Sequence, residues 1–158
     1  IKNQNQYMLK NKNSISERSK IQIYKNDLRF LLDIKKSVGL LNNNIHDKAA
    51  LIAIDILEKK YPSLKINYFN AGVRGIDLIG KEGNKIKLIA EIKTTTINKG
   101  DSLKGPQMKD IKEDLERLVN ENVDYKYLIL ISSKVEDNLK KRLNFKKKYQ
   151  NVKILTVF

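Results

Sequence analysis

Glu91-Ile92-Lys93 closes the apolar run Leu88-Ile89-Ala90, and Asp77 precedes it in the chain. Two carboxylates and a lysine on one face of a hairpin are the minimum equipment for metal-dependent phosphodiester hydrolysis. Carboxylate oxygens hold a hard divalent cation, which lowers the pKa of bound water and stabilises charge developing on the phosphate. A lysine is a compact cation that orients the water and the scissile phosphate. Glu-x-Lys alone is weak evidence in a chain that is 32% charged. Its weight comes from the setting: Gly75-Ile76-Asp77 opens a strand, a turn follows, and an apolar strand ends in Glu-x-Lys.

Strand residues two apart share a face, so Glu91 and Lys93 point the same way while Ile92 packs behind them. Whether Asp77 joins them depends on the turn at Glu82-Gly83-Asn84. A three-residue loop pairs Lys81 with Lys85 and sets Asp77 against Ile89. Glu91 is then its diagonal neighbour, about 7–8 Å away by backbone. A two-residue loop puts Asp77 opposite Ala90 and on the wrong face. A working site therefore predicts an odd-numbered loop.

The elements that must position these residues follow from periodicity and punctuation. Residues 1–13 are polar and read as a tail. Ser14 and Glu17 have capping-box spacing. Ile21, Tyr24, Leu28, Leu31, Ile34, Val38 and Leu41 recur at three- and four-residue steps, which predicts an amphipathic helix over about 15–38. Asn42-Asn43-Asn44 predicts a break. A second helix, about 46–60, is apolar on most sides and is expected to be buried; Tyr61-Pro62-Ser63 ends it. Strands follow at 66–69, 76–79 and 86–93. After a loop over 94–105, Pro106 suits the first position of a helix whose stripe is Met108, Ile111, Leu115, Leu118 and Val119. Tyr127–Ile131 lacks alternation and suits a strand buried on both faces. A lysine-rich helix at about 136–148 precedes a last strand at 152–158. The order α-α-β-β-β-α-β-α-β predicts one α/β domain over 14–158, a mixed central sheet flanked by helices with an added N-terminal amphipathic helix.

Composition narrows the partners. Lys and Arg number 32 against 18 Asp and Glu, a formal charge of +14 over 158 residues. Such an excess favours a polyanion, because each neutralised phosphate releases counterions; nucleic acid comes first and an anionic membrane surface second. No stretch approaches the roughly 20 apolar residues of a membrane-spanning helix. The polar start carries no signal-peptide pattern, and the absence of cysteine excludes disulfides and fits a cytoplasmic setting. One histidine and no cysteine exclude an ordinary structural zinc site, so any metal should be hard and oxygen-bound, such as Mg2+, with Mn2+ as its substitute.

The constellation resembles the PD-(D/E)xK nuclease superfamily, the restriction-endonuclease-like fold. The resemblance implies that Asp77 and Glu91 ligate metal, that Asp77, Glu91 and Lys93 are the catalytic residues, and that the core spans about 46–132. Ile76 stands where the family has its proline. Ala90-Glu91-Ile92-Lys93-Thr94-Thr95, then Gln107 and Ile111-Lys112-Glu113-Asp114-Leu115, is similar to bacterial type II restriction endonucleases in particular. An additional acid on the helix before the sheet is expected in this family, and Asp47 is the candidate metal ligand, with Asp55 and Glu58 as alternatives; a helix-dipole role for Asp47 stays open. Gln107 either approaches the metal site or DNA backbone, or simply faces solvent in the first helical turn. His46 is a general base or a structural side chain.

For DNA contacts the candidates are Arg74, Thr94, Thr95, Lys99, Lys104 and Gln107, which flank the site in sequence. Lys140, Lys141, Arg142, Lys146, Lys147 and Lys148, with Phe145 and Tyr149 among them, form a second basic face, or a solvated lysine-rich helix. The resemblance also implies a homodimer, since cutting both strands of a duplex takes two active sites; the N-terminal stripe would serve it or pack on the core. The expected activity is that of a magnesium-dependent endonuclease on double-stranded DNA, of the restriction type. The alternatives are a repair or recombination nuclease such as a junction resolvase, a non-catalytic DNA-binding module, and an accessory subunit.

Overall fold

Between Lys2 and Lys60 the chain holds no proline and one glycine, Gly39, so nothing forces the backbone out of a helix. In the computed structural model, which describes residues 2–69, 75–98 and 100–157 and gives only backbone for 2–21, 23, 24, 27 and 146, this stretch is one helix, α1 (Lys2–Lys60). It replaces the expected tail and two helices. The three asparagines at 42–44 each cost well under ~1 kcal/mol relative to alanine. That is too little to interrupt a ladder that gains one hydrogen bond per residue once nucleated. Tyr61-Pro62-Ser63 does end it.

The chain divides into two compact units, residues 1–41 and 42–158. In the first, the apolar side chains Leu28, Leu31, Ile34, Val38 and Leu41 are exposed. Among the described residues, the second contains every strand. Within it, Ala49, Ala50, Ala53 and Leu57 of α1 are buried while Leu51 is exposed. The segment expected to be buried on most sides is thus buried along one stripe, at the three- and four-residue steps of a helix lying on a sheet.

The strands are β1 (Lys65–Tyr68), β2 (Leu78–Glu82), β3 (Lys85–Lys93), β4 (Tyr125–Leu130) and β5 (Lys153–Thr156). They form one sheet in the order β1-β2-β3-β4-β5. β1, β2 and β3 are an antiparallel meander, whereas β4 and β5 are added parallel. The parallel steps return through helices: α2 (Gly105–Asn120) leads to β4, and α3 (Ser133–Arg142) with the short α4 (Phe145–Lys148) leads to β5. The expected single helix at 136–148 is therefore two, separated at Leu143 and Asn144. Pro106 sits at the second rather than the first position of α2, where its missing N–H again costs nothing.

The architecture of the second unit is α/β with an open mixed sheet. One face packs Leu88, Ala90, Ile92, Tyr127 and Ile129 against the α1 stripe. The other packs Ile89, Leu128 and Leu130 against Met108, Ile111, Leu115 and Leu118 of α2 and Val135 and Leu139 of α3. Residues 127–130 of β4 are all buried, as a strand covered on both faces requires.

The hairpin turn differs from the expected odd loop. Glu82 pairs with Lys85, leaving the two-residue turn Gly83-Asn84. Gly83 adopts φ 58°, and no described non-glycine residue has positive φ, the pattern of a type II′ turn. By itself this turn would set Asp77 on the wrong face. The register then shifts between Gly80 and Lys81: Gly80 faces Leu88 while Lys81 faces Ile86, so Lys87 is an unpaired bulge residue. Its ammonium reaches Asp124 at 2.6 Å. Gly80 suits this crowded point, since a Cβ there would lie 2.9 Å from Leu88 Cβ.

Candidate active site

Beyond the bulge Leu78 pairs with Ala90, so extending the ladder by one residue sets Asp77 directly opposite Glu91. The bulge supplies the parity that the turn does not. Asp77 still belongs to the sheet edge through its backbone, since its carbonyl accepts the Phe69 N–H at 2.9 Å. Its side chain does what a backbone carbonyl would otherwise do: Oδ2 accepts the Ile92 N–H at 2.7 Å. The same oxygen lies 3.5 Å from His46 Nε2 of α1. Burial opposes ionisation of Asp77 but is outweighed. Hydrogen bonding to His46, the Ile92 N–H, the charge of His46 and a bond with Glu91 together hold its carboxyl below the usual range.

Glu91 is buried at 4% exposure and behaves oppositely. Burial, then the charge of Asp114, then that of Asp77 push its carboxyl up to about 8, against the pull of Arg117. Two neighbouring carboxylates in a dry setting resist simultaneous ionisation. Arg117 Nη1 donates to Glu91 Oε1 at 2.5 Å and to the Gly75 carbonyl at 3.3 Å. Its Nη2 lies 3.4 Å from Asp114 Oδ1.

Lys93 projects from the strand end to Asp114 of α2, with which it forms an ion pair. Asp114 Oδ2 is buried and receives no aligned hydrogen bond, so it is held by charge alone. The catalytic triplet expected from sequence, Asp77, Glu91 and Lys93, thus occurs as one cluster. Three side chains join it. The sequence motif does not point to Asp114 or Arg117, and it leaves His46 as a general base or a structural side chain. A signal for Asp114 does exist in the sequence: it falls within the stripe Ile111, Leu115, Leu118, and a carboxylate on a buried face asks for a partner. For Arg117 the sequence offers only its spacing of three from Asp114.

Asp47 does not reach these carboxylates directly. Its Oδ1 accepts a 2.5 Å hydrogen bond from the Tyr68 hydroxyl, which also lies 3.0 Å from His46 Nδ1. It stands two side chains away from Asp77, behind Tyr68 and His46, because successive helical residues point about 100° apart. Gln107 is committed locally, with Oε1 accepting the Lys104 N–H at 3.0 Å to close the first turn of α2. Lys104 is exposed, and Thr94 and Thr95 are half-buried in the loop that leaves β3. Arg74 and Lys99 lie outside the described residues.

The second basic face is partly spent within the fold. Lys140 pairs with Glu136 at 2.5 Å, and Lys148 with Glu116 at 2.6 Å. Arg142 donates to the Leu103 carbonyl at 2.5 Å. Phe145 and Tyr149 are buried in the core, so they present no stacking surface. Lys141 and Lys147 are exposed.

The donor chemistry suits a hard cation. Asp77, Glu91 and Asp114 are neighbouring carboxylates, the oxygen donors a hard cation takes, although Asp114 Oδ2 is already paired with Lys93. Among the described residues no three acidic or histidine side chains form a ready-made metal cage; Glu91 and Asp114 both face the Arg117 guanidinium instead. Among the described residues no helix is long and apolar enough to cross a membrane. No family model, curated protein or solved structure matches this chain.

Proposed function

We propose that this chain is a divalent-metal-dependent DNA endonuclease of the restriction type. The carrying observation is that Asp77, just ahead of β2, meets Glu91 of β3, with Lys93 two residues on. Asp77 and Glu91 would hold Mg2+, which supplies an acidified water and neutralises charge on the phosphate. Lys93, released from Asp114 or sharing its proton donors with it, orients the attacking water and the phosphate. Asp77 is kept ionised by His46 and the Ile92 N–H, so it is ready to bind a cation. The formal charge of +14 supports a nucleic-acid substrate and draws it in by counterion release. Action on duplex DNA as a homodimer belongs to the same proposal.

One observation favours a second reading. Glu91 and Asp114 are each already matched to a cation, Arg117 and Lys93. A self-neutralised cluster of this kind would also serve a non-catalytic DNA-binding module.

The test is incubation with supercoiled plasmid and with branched DNA, in Mg2+ or EDTA, beside Glu91→Ala and Lys93→Ala. Discrete duplex fragments in Mg2+ alone support restriction, and cutting of the branched substrate alone supports a resolvase. DNA binding without metal-dependent cutting supports the module. Full activity in Glu91→Ala would refute the assigned site.

A further inference from the structure

Arg117 is the most exposed member of the cluster. Its side chain is 44% exposed, yet its guanidinium turns inward to three acceptors, Glu91, Asp114 and the Gly75 carbonyl. Two of these are the buried acids beside Asp77. A guanidinium cannot lose its charge, so it leaves such a place only by swinging out. Its half-exposed stem on the last turns of α2 permits that without unpacking the apolar stripe Ile111, Leu115 and Leu118, which lies on another side of the helix.

We propose that Arg117 is a displaceable counter-cation. In the metal-free protein it holds Glu91 and Asp114, and a divalent cation takes Glu91 from it on binding, with any proton on Glu91 passing to solvent. The exchange is favourable on charge grounds, because two charges at oxygen-ligand distance replace one delocalised charge. It also gives the closed ion pairs a purpose: the acids stay folded and screened until metal arrives. This rests on the metal-site reading above and adds a regulation of that site.

The test is titration of Mn2+ alone, by electron paramagnetic resonance of the free ion, into the wild type, Arg117→Gln and Arg117→Lys. Without its competitor, Arg117→Gln binds Mn2+ about tenfold tighter than the wild type, and Arg117→Lys falls between them. In EDTA, Arg117→Gln melts several degrees below the wild type, and saturating Mn2+ closes the gap. Equal Mn2+ affinity in the wild type and Arg117→Gln, with the same melting deficit with and without Mn2+, makes Arg117 a purely structural residue and overturns the exchange alone. Absence of Mn2+ binding in all three overturns the metal site and the exchange with it. Should Arg117→Gln fail to fold, the wild type against Arg117→Lys decides: tighter binding in the lysine variant supports the exchange, and equal binding refutes it.

Discussion

Asp77, one residue ahead of β2, comes level with Glu91 and takes the Ile92 N–H on its carboxylate because Lys87 is an extra residue in β3. A two-residue turn alone offsets the two acids by one position and sends their side chains to opposite faces. One bulge restores the face and shortens the separation from diagonal to direct. Gly80, at the bulge, is the residue whose replacement probes this geometry most cleanly.

Gly80→Ala brings a Cβ to 2.9 Å from Leu88 Cβ, with Ile66 Cγ1 at 3.4 Å. Both strands are central and packed, so relief requires a backbone shift. The expected loss is about 1–3 kcal/mol of stability, read from the urea midpoint. Activity should fall further than stability, because the same shift separates Asp77 from Glu91. A variant with unchanged midpoint and activity would show that the bulge tolerates the methyl.

Lys93 and Asp114 form a mostly buried pair, with side-chain exposures of 24% and 9%. Removing one partner strands the other. Lys93→Met should lose roughly 2–3 kcal/mol, below the full cost of a stranded buried charge because Arg117 also reaches Asp114. Lys93→Met with Asp114→Asn should regain most of it. Chemical denaturation of the two single variants and the double variant measures the coupling.

Glu91 ties stability to pH. Its folded carboxyl titrates near 8 against an ordinary 4.5, so the folded state binds the proton more tightly. The contribution is fully present below about pH 4.5 and is lost as pH rises through about 8. Across that window this one group lowers stability by on the order of 1 kcal/mol per pH unit. Glu91→Gln should match the wild type at the acid end, exceed it above pH 8 and flatten the slope, in melts recorded in EDTA. An unchanged slope would falsify the raised carboxyl.

DNA affinity should respond unequally to lysine removal. Lys141→Ala and Lys147→Ala take away exposed charges and should each lower the salt slope of binding by about one. Lys148→Ala should change it less, because Lys148 is paired with Glu116. Fluorescence anisotropy of a short duplex at several salt concentrations separates the cases.

Much of the second unit was readable in the chain. The stripe of α2 and the unbroken apolar run of β4 are local signals, and each element formed where its signal lies; the turn signal marked the hairpin but not its two-residue length. The helix break expected at Asn42–Asn44 does not occur because low propensity is not a stop: even Gly39 stays within α1, and ending a long ladder takes proline or a cap. The site was half readable. Glu91 and Lys93 share a face by strand geometry alone, whereas Arg117 is far from them in sequence and its role depends on where α2 docks.

The chain alone determined the chemistry available: two acids and a lysine around an apolar strand, a strongly basic body, and no thiol ligands. These are matters of residue type and short-range period, which the backbone enforces locally. The tertiary structure decided which groups meet. A single unpaired residue in β3 set Asp77 against Glu91, and the packing of α2 on the sheet brought Asp114 and Arg117 to them. Register and docking are settled by the fit of whole surfaces, and no local stretch of sequence carries that information.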